Sequence, residues 1–239
     1  MLTFEKLSAQ EIMNALSEPC FNLIIKNCLP STNDYLLDLT AASKITLEKT
    51  AVLAEVQTGG RGRQGRSWVS PPGNIYLSVY WPFNGSHDAL YGLSLVIGIA
   101  IARVLKSNGL DDVQLKWPND IYWQAKKMGG ILIETKPNKA GRIDVIVGIG
   151  LNIVEMPEQS QNITQEFVSL QNALNHKVSR NKLVAQLLME ISSILDKFEQ
   201  EGFSSFVAEW RQLDAQIPSK AHADFNLIDL INYAGREKH

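Results

Sequence analysis

The chain has 239 residues, 45% of them hydrophobic and 20% charged, with a formal net charge of −2. These are the figures of an ordinary globular protein with one sizeable core, or a domain plus a small appendage. They exclude a chain built as a whole for nucleic acid, so any positive charge that matters is local. Cys20 and Cys28 lack metal-ligand spacing, the four histidines form no cluster and no signal peptide is in view, which together lead us to expect a reduced, cytoplasmic setting. The longest apolar stretch, residues 89–105, contains Gly and Arg and is too short and mixed to span a membrane.

In chain order, Ser8-Ala9-Gln10-Glu11 is a capping box that opens a short helix over residues 8–16. Residues 21–27 alternate apolar side chains and read as a strand. Ser31-Thr32-Asn33-Asp34 then precedes Tyr35-Leu36-Leu37, the pattern of a polar-capped helix start. Ser31 and Thr32 serve there as caps, or their hydroxyls and the Asn33 amide hydrogen-bond the polar head of a ligand; a compact urea-like or carboxamide group would suit them.

An apolar strand over residues 51–56 runs into a twelve-residue stretch, 57–68, that holds four glycines and three arginines. Glycine leaves room for a ligand to approach the backbone, and arginine offers a planar, permanently charged fork for phosphate or carboxylate. A loop of this composition is expected to be mobile until an anion fills it; otherwise it is a basic surface turn. Gly60-x-Gly62-x-x-Gly65 formally matches a dinucleotide-binding pattern, but that mechanism needs a helix to open inside the motif. The continuation Val69-Ser70-Pro71-Pro72-Gly73-Asn74 forbids one. No Gly-Lys-Ser/Thr follows either, which removes a Walker loop.

Residues 74–81 form a long alternating strand able to pair with 51–56, making the basic loop the tip of a large hairpin. Residues 88–107 are apolar on most faces, as a buried helix is, with Gly109 as its stop. A strand over 112–116 enters the turn Trp117-Pro118-Asn119-Asp120, strand 121–123 follows, and residues 124–127 form a basic turn. Strand 128–135 carries Gly129 and Gly130 at its start, a mark of close approach by another chain or a ligand. Residues 142–149 give a further strand, 181–198 an amphipathic helix interrupted by Gly202, and 203–213 a last short helix. Successive strands without long intervening helices predict an α+β fold, a mixed, mostly antiparallel sheet with helices on one face.

Ser31-Thr32-Asn33, the 60–68 loop, Lys116-Trp117-Pro118-Asn119-Asp120, Lys127-Met128-Gly129-Gly130-Ile131-Leu132 and Gly148-Ile149-Gly150-Leu151-Asn152 occur together in this order. Through these motifs residues 23–214 resemble the catalytic domain of biotin–protein ligases, with the class II aminoacyl-tRNA synthetase-like fold of that family. Residues 1–22 would be a short helical segment, and 215–239 a tail too short for the SH3-like domain that family members usually add. The short N-terminal segment likewise leaves no room for the helix-turn-helix domain of bacterial members that act as repressors, so a monofunctional ligase without nucleic-acid or membrane partners is expected.

The resemblance implies that biotin attacks the α-phosphate of Mg²⁺-bound ATP to give biotinyl-5′-AMP. A lysine of the biotin carboxyl carrier protein of acetyl-CoA carboxylase then takes the biotinyl group. By the same resemblance Ser31, Thr32, Asn33 and Gln57 hold the biotin ureido end. The loop residues Gly60, Arg61, Gly62 and Arg63, with Lys127, Gly129, Gly130 and Leu132, complete the biotin site. Arg61, Arg63, Trp68, Lys116, Asn119, Lys127 and Asn152 lie near the nucleotide. Lys127 bridges the biotin carboxylate and the α-phosphate, Arg63 supplies charge from the loop, and Asp120 orients or deprotonates the acceptor lysine, unless it is simply the residue a turn after proline favours. No protein ligands for the metal are implied, because Mg²⁺ travels on the ATP. Family members often dimerise through sheet edges, so a homodimer is a further expectation. A lipoate–protein ligase of the same fold, or a biotin-binding protein impaired by its short C-terminus, are the alternatives.

Overall fold

The computed structural model describes residues 4–42, 49–138, 141–155 and 166–215. The expected C-terminal tail, from residue 216 onward, lies outside the described residues. Seven strands form one sheet: β1 (Asn22–Leu29), β2 (Thr50–Gln57), β3 (Ile75–Phe83), β4 (Val113–Lys116), β5 (Asp120–Trp123), β6 (Lys126–Pro137) and β7 (Ile143–Leu151), in the order β1-β2-β3-β7-β6-β5-β4. All neighbours are antiparallel except β1 and β2, which run parallel. The hairpin expected of β2 and β3 is present, with Leu53 opposite Leu77, so the Gly/Arg loop does join two paired strands.

The helices are α1 (Ala9–Ala15), α2 (Thr32–Ala41), α3 (Leu93–Ser107), α4 (Leu170–Leu174), α5 (Arg180–Glu201) and α6 (Val207–Leu213). Alternation in the central strands decides which face each helix covers. Ile75, Leu77, Val79, Trp81 and Phe83 of β3 join Val145, Val147, Ile149 and Leu151 of β7 in one buried cluster, with the apolar sides of α3 and α5. Val52, Ala54, Tyr80 and Ile146 point the other way and meet Leu36. The expectation of helices on one face therefore holds for the two long helices, while α2 packs on the opposite face. That exception carries Ser31-Thr32-Asn33 to the face where the loop arrives.

Local chemistry explains the helix ends. Ser8 and Ser31 cap α1 and α2 by accepting from the amides of Glu11 and Asp34. The helix expected to begin at residue 88 begins instead at Leu93. Gly92 adopts φ 81°, a left-handed conformation that breaks the run, and a Cβ there would lie 2.4 Å from the ring of Phe203. The stretch His87–Ser107 has the length and apolarity to cross a membrane, but α3 spends that apolarity on the core: eleven of its residues are buried.

Candidate functional site

The start of α2, the end of β2, the Gly/Arg loop, the start of β5, β6 and β7 contribute to one cavity of about 180 Å³ on the α2 face of the sheet, lined by Ser31, Thr32, Asn33, Gln57, Arg61, Gly62, Arg63, Arg66, Trp68, Asn119, Asp120, Lys127, Gly130, Leu132 and Asn152, among others. Its floor is made of glycine. β6 and β7 bring Gly130 opposite Gly150 and Leu132 opposite Gly148. A Cβ at Gly150 would stand 2.6 Å from the indole of Trp68, and one at Gly148 would stand 2.4 Å from Asn33 Oδ1. The sheet is bare here so that the indole and the α2 terminus can lie directly on its backbone.

Polar groups at the α2 end are tied to one another. Ser31, Thr32 and Asn33 are 3–4% exposed. The Gln57 carboxamide oxygen accepts from the Thr32 amide at 2.9 Å, and its nitrogen donates to Ser70 Oγ at 3.0 Å. Ser78, fully buried on β3, places its hydroxyl 2.7 Å from Thr32 Oγ1 and 2.5 Å from Asn33 Oδ1. Asn33 Nδ2 donates to Glu134 at 2.8 Å and to the Leu132 carbonyl at 3.3 Å. Capping and cavity-lining are thus not exclusive at this helix start: Ser31 does both.

The Gly/Arg loop is a compact turn. Thr58 and Gly59 donate to the Leu29 and Pro30 carbonyls, which pins its start to the end of β1. Gly62 donates to Arg66 at 2.7 Å, Trp68 to Gly60 at 2.8 Å, and Gln64 and Gly65 take positive φ at the tip. Arg61 pairs with Asp34 and with Glu134, the latter at 2.9 Å. Partial burial alone would lower its pKa; the two carboxylates outweigh that and hold it above the ordinary value. Arg63 reaches across to Asn119 Oδ1 at 3.3 Å, and Asn119 is fixed by donating to the Ile131 carbonyl at 2.8 Å. On the sheet, Lys127 Nζ lies 2.8 Å from Asp120 Oδ1 and 5.4 Å from the centre of the Trp68 ring. The indole Nε1 is buried without a hydrogen-bond partner among the described residues.

Three of the residues expected at the site do not line the cavity. Gly60 is needed where the two ends of the loop touch, since a Cβ would meet the Trp68 carbonyl at 2.4 Å. Gly129 faces Leu151, whose side chain its Cβ would meet at 2.5 Å. Lys116 stands on the exposed side of β4, its amine 5.2 Å over the Tyr122 ring. In return the structure adds Arg66, Phe167 and the glycines of β7. Phe167 comes from a segment that bridges Lys127 in parallel, with Lys127 donating to the Glu166 carbonyl at 3.0 Å. Nothing in the sequence near Phe167 signals this; the β7 glycines were visible as an unexplained Gly148-x-Gly150. Among the described residues no three His, Cys, Asp or Glu side chains gather to hold a metal ion.

A mixed sheet with a Gly/Arg hairpin loop folded over a glycine-floored cavity, and a lysine–carboxylate pair at that cavity, together define the candidate site. Residues 25–152 match the biotin/lipoate A/B protein ligase family, and the chain belongs to it. The chain is 38% identical over 209 residues to the bifunctional ligase/repressor BirA of Escherichia coli K12, covering 87% of this chain and 63% of that protein. It is 30% identical over 199 residues to the biotin–[acetyl-CoA-carboxylase] ligase of Mycobacterium tuberculosis, covering 81% and 71%. Among solved structures, the Aquifex aeolicus biotin protein ligase in complex with biotin and ATP superposes with a TM-score of 0.67 at 31% identity, over 82% of this chain and 79% of that one. The chain spans 59–64% of the length of the first bifunctional relatives it matches.

Proposed function

We propose that this chain is a biotin–protein ligase. It activates biotin with ATP as biotinyl-5′-AMP and transfers it to a lysine of the biotin carboxyl carrier protein of acetyl-CoA carboxylase, in the cytoplasm. The observation that carries this reading is the meeting of the α2 polar cluster, the loop arginines and the Lys127–Asp120 pair around one cavity. The names of the relatives and the biotin- and ATP-bound state of a similar solved structure support it.

The chemistry follows from the residues. Adenylation brings a carboxylate up to a phosphate, so two anions must be held together by fixed positive charge in a site shielded from water. Lys127 and Arg63 supply that charge from opposite walls, and each charge-assisted hydrogen bond contributes roughly 1.5–3 kcal/mol. Ser31, Thr32 and Gln57 hold the ureido end, Asn33 braces them, and Gly130 and Leu132 form the apolar wall. Trp68, Asn119 and Asn152 lie on the nucleotide side, and Mg²⁺ is carried on the ATP phosphates. The orphaned indole N–H of Trp68 gains an acceptor when the cavity is filled. In the second half-reaction the incoming amine must lose a proton before it attacks the mixed anhydride, and Asp120 is the carboxylate at hand, once Lys127 turns from it to the phosphate.

The test is pyrophosphate release from Mg·ATP by the purified chain, with biotin and lipoate as parallel substrates. Release with biotin alone is expected, and Lys127→Ala should lose it while remaining folded. Release with lipoate alone would move the chain to the lipoate branch of the family. No release, with biotin still bound by calorimetry, would make it a binding protein instead.

A further inference from the structure

Lys127 is the one lysine that lines the cavity. The other cations there, Arg61, Arg63 and Arg66, are guanidiniums that stay protonated and do not attack a carbonyl. Under the ligase reading this is a hazard. The cavity makes a mixed anhydride of biotin and AMP, an acyl donor meant for a lysine amine, and makes it beside a lysine amine of its own. A lysine in water keeps roughly one amine in a few thousand unprotonated at pH 7. A group held against its target reaches an effective concentration of about 10⁵ M or more. The two factors together still leave a nucleophile on the order of tens of molar, far above any concentration of an acceptor protein. The protonation a lysine has in water therefore does not keep the chain from acylating itself, and something in the cavity has to.

Asp120 stands in the right place. Its Oδ1 lies 2.8 Å from Lys127 Nζ, with the two side chains 19% and 16% exposed, and the Trp68 ring stands 5.4 Å from the same nitrogen. Among the described residues it is the one carboxylate within ion-pair distance of that amine. To become a free amine, Lys127 must give up this charge-assisted contact as well as a proton. A proton that passes to Asp120 leaves a lone pair facing Asp120 and not the ligand. The α-phosphate of the adenylate is also an anion, but it is no substitute. A proton passed to the phosphate departs with AMP and opens the lone pair toward the acyl carbon.

We infer that Asp120 guards Lys127: while no acceptor is bound, the pair withholds the Lys127 amine from the mixed anhydride, and without that carboxylate Lys127 is a site of self-biotinylation. This rests on the ligase reading and gives Asp120 a task before the acceptor arrives. The incoming ammonium then takes the place of Lys127 at Asp120, so Lys127 turns to the phosphate only when the proper nucleophile is present. In the side reaction neutral Lys127 Nζ adds to the acyl carbon, and the new C–N bond forms as the C–O bond to the phosphate breaks. The nitrogen gives up two protons in all, one before the attack and one as the adduct collapses. One leaves on the AMP phosphate and the other goes to water. Biotin ends as an amide on Lys127, which removes the charge and blocks the cavity.

The test is mass spectrometry of the Lys127 peptide after the purified chain is incubated, without acceptor, with biotin and Mg·ATP or with preformed biotinyl-5′-AMP. The parent should leave Lys127 unmodified. Asp120→Asn should gain one biotinyl group there, and its pyrophosphate release should decay as the label accumulates. A merely structural role for Asp120 would lower that rate without making it decay. Asp120→Glu, which restores a carboxylate, should label more slowly than Asp120→Asn. The preformed intermediate bypasses adenylation, so the guard is tested even where a variant adenylates poorly. An unlabelled Lys127 in Asp120→Asn, or equal labelling in variant and parent, would overturn the guard while the ligase reading stood. A parent that releases no pyrophosphate with biotin would overturn the ligase reading and the guard with it.

Discussion

Two arginines hold two parts of this molecule, and they do so at opposite ends of the burial scale. Arg180, at the start of α5, is 1% exposed. It donates to Glu55 at 3.0 Å, to the Asn74 carbonyl at 2.8 Å and to the Glu5 carbonyl, tying the segment before α1 to the end of β2. Arg61, in the loop, has a side chain 39% exposed and pairs with Asp34 and Glu134. The bonding chemistry is the same. In the first case the charge lies in the core, where losing one partner strands the others without water. In the second, water waits to replace either carboxylate, so the pair opens cheaply. A scaffold needs the first kind of contact; under the proposed ligase reading the loop is a cover that admits substrate and releases product, and such a cover needs the second.

The contrast breaks first at Arg180. Arg180→Met keeps much of the apolar stem but leaves Glu55 and two carbonyls without the guanidinium, and should cost about 3–5 kcal/mol, the range for a buried pair that loses one member. The urea unfolding midpoint measures it; a change below about 1 kcal/mol would mean that the cluster is far wetter than its exposure indicates. Arg61→Met should cost no more than about 1 kcal/mol by the same measurement. Its effect should instead appear in the loop, as faster tryptic cleavage after Arg63 and Arg66. Raising the ionic strength of the parent to about 1 M, where the Debye length falls to about 3 Å, should reproduce part of that acceleration. A loop indifferent to both salt and Arg61→Met would show that its internal turn, and not the two carboxylates, keeps it in place.

The two clusters were not equally legible in the sequence. The loop announces itself, because Gly and Arg at that density after a strand have few uses, and Ser31-Thr32-Asn33 at a helix start is a local pattern. The strands and long helices follow from apolar periodicity, which is set within a few residues. Asn33's partners are another matter: Ser78 and Glu134 lie 45 and 101 residues further along, and only the pairing of β3, β7 and β6 under α2 brings them together. Ser78 reads in sequence as one polar residue in an apolar strand. The placement of α2 opposite the other helices was hidden for a related reason. β2 and β7 are buried on both faces, so neither strand alternates cleanly and the sequence alone does not say that a second face needs covering. Lys116 misled in the opposite direction, because a motif places a residue along the chain and not on a side of the sheet.

Alkaline pH separates the two clusters in the sense opposite to salt, through Tyr76. Its hydroxyl donates to the Pro71 carbonyl at 2.6 Å. Burial pushes its pKa well above the usual tyrosine range, although Asn74, Arg180 and Ser70 pull it back. In the unfolded chain the phenol titrates near its ordinary value of about 10. Below that pH both states are protonated and the stabilisation is complete. Above it the unfolded chain ionises while the folded protein still holds the proton, so stability falls as pH rises toward the folded-state pKa. The Arg61 cluster takes no part in this, because it holds no phenol and its guanidinium is held above the ordinary arginine value. Unfolding midpoints measured from pH 9 to about 11 should therefore decline for the parent and less steeply for Tyr76→Phe. Tyr80 is shifted upward as well, by burial and by Asp144, and Tyr91 by burial, so both contribute to the remainder. If Tyr76→Phe declined as steeply as the parent, the phenol would be titrating in the folded protein much as it does in water, and the cluster around Arg180 could not be the dry scaffold that the comparison requires.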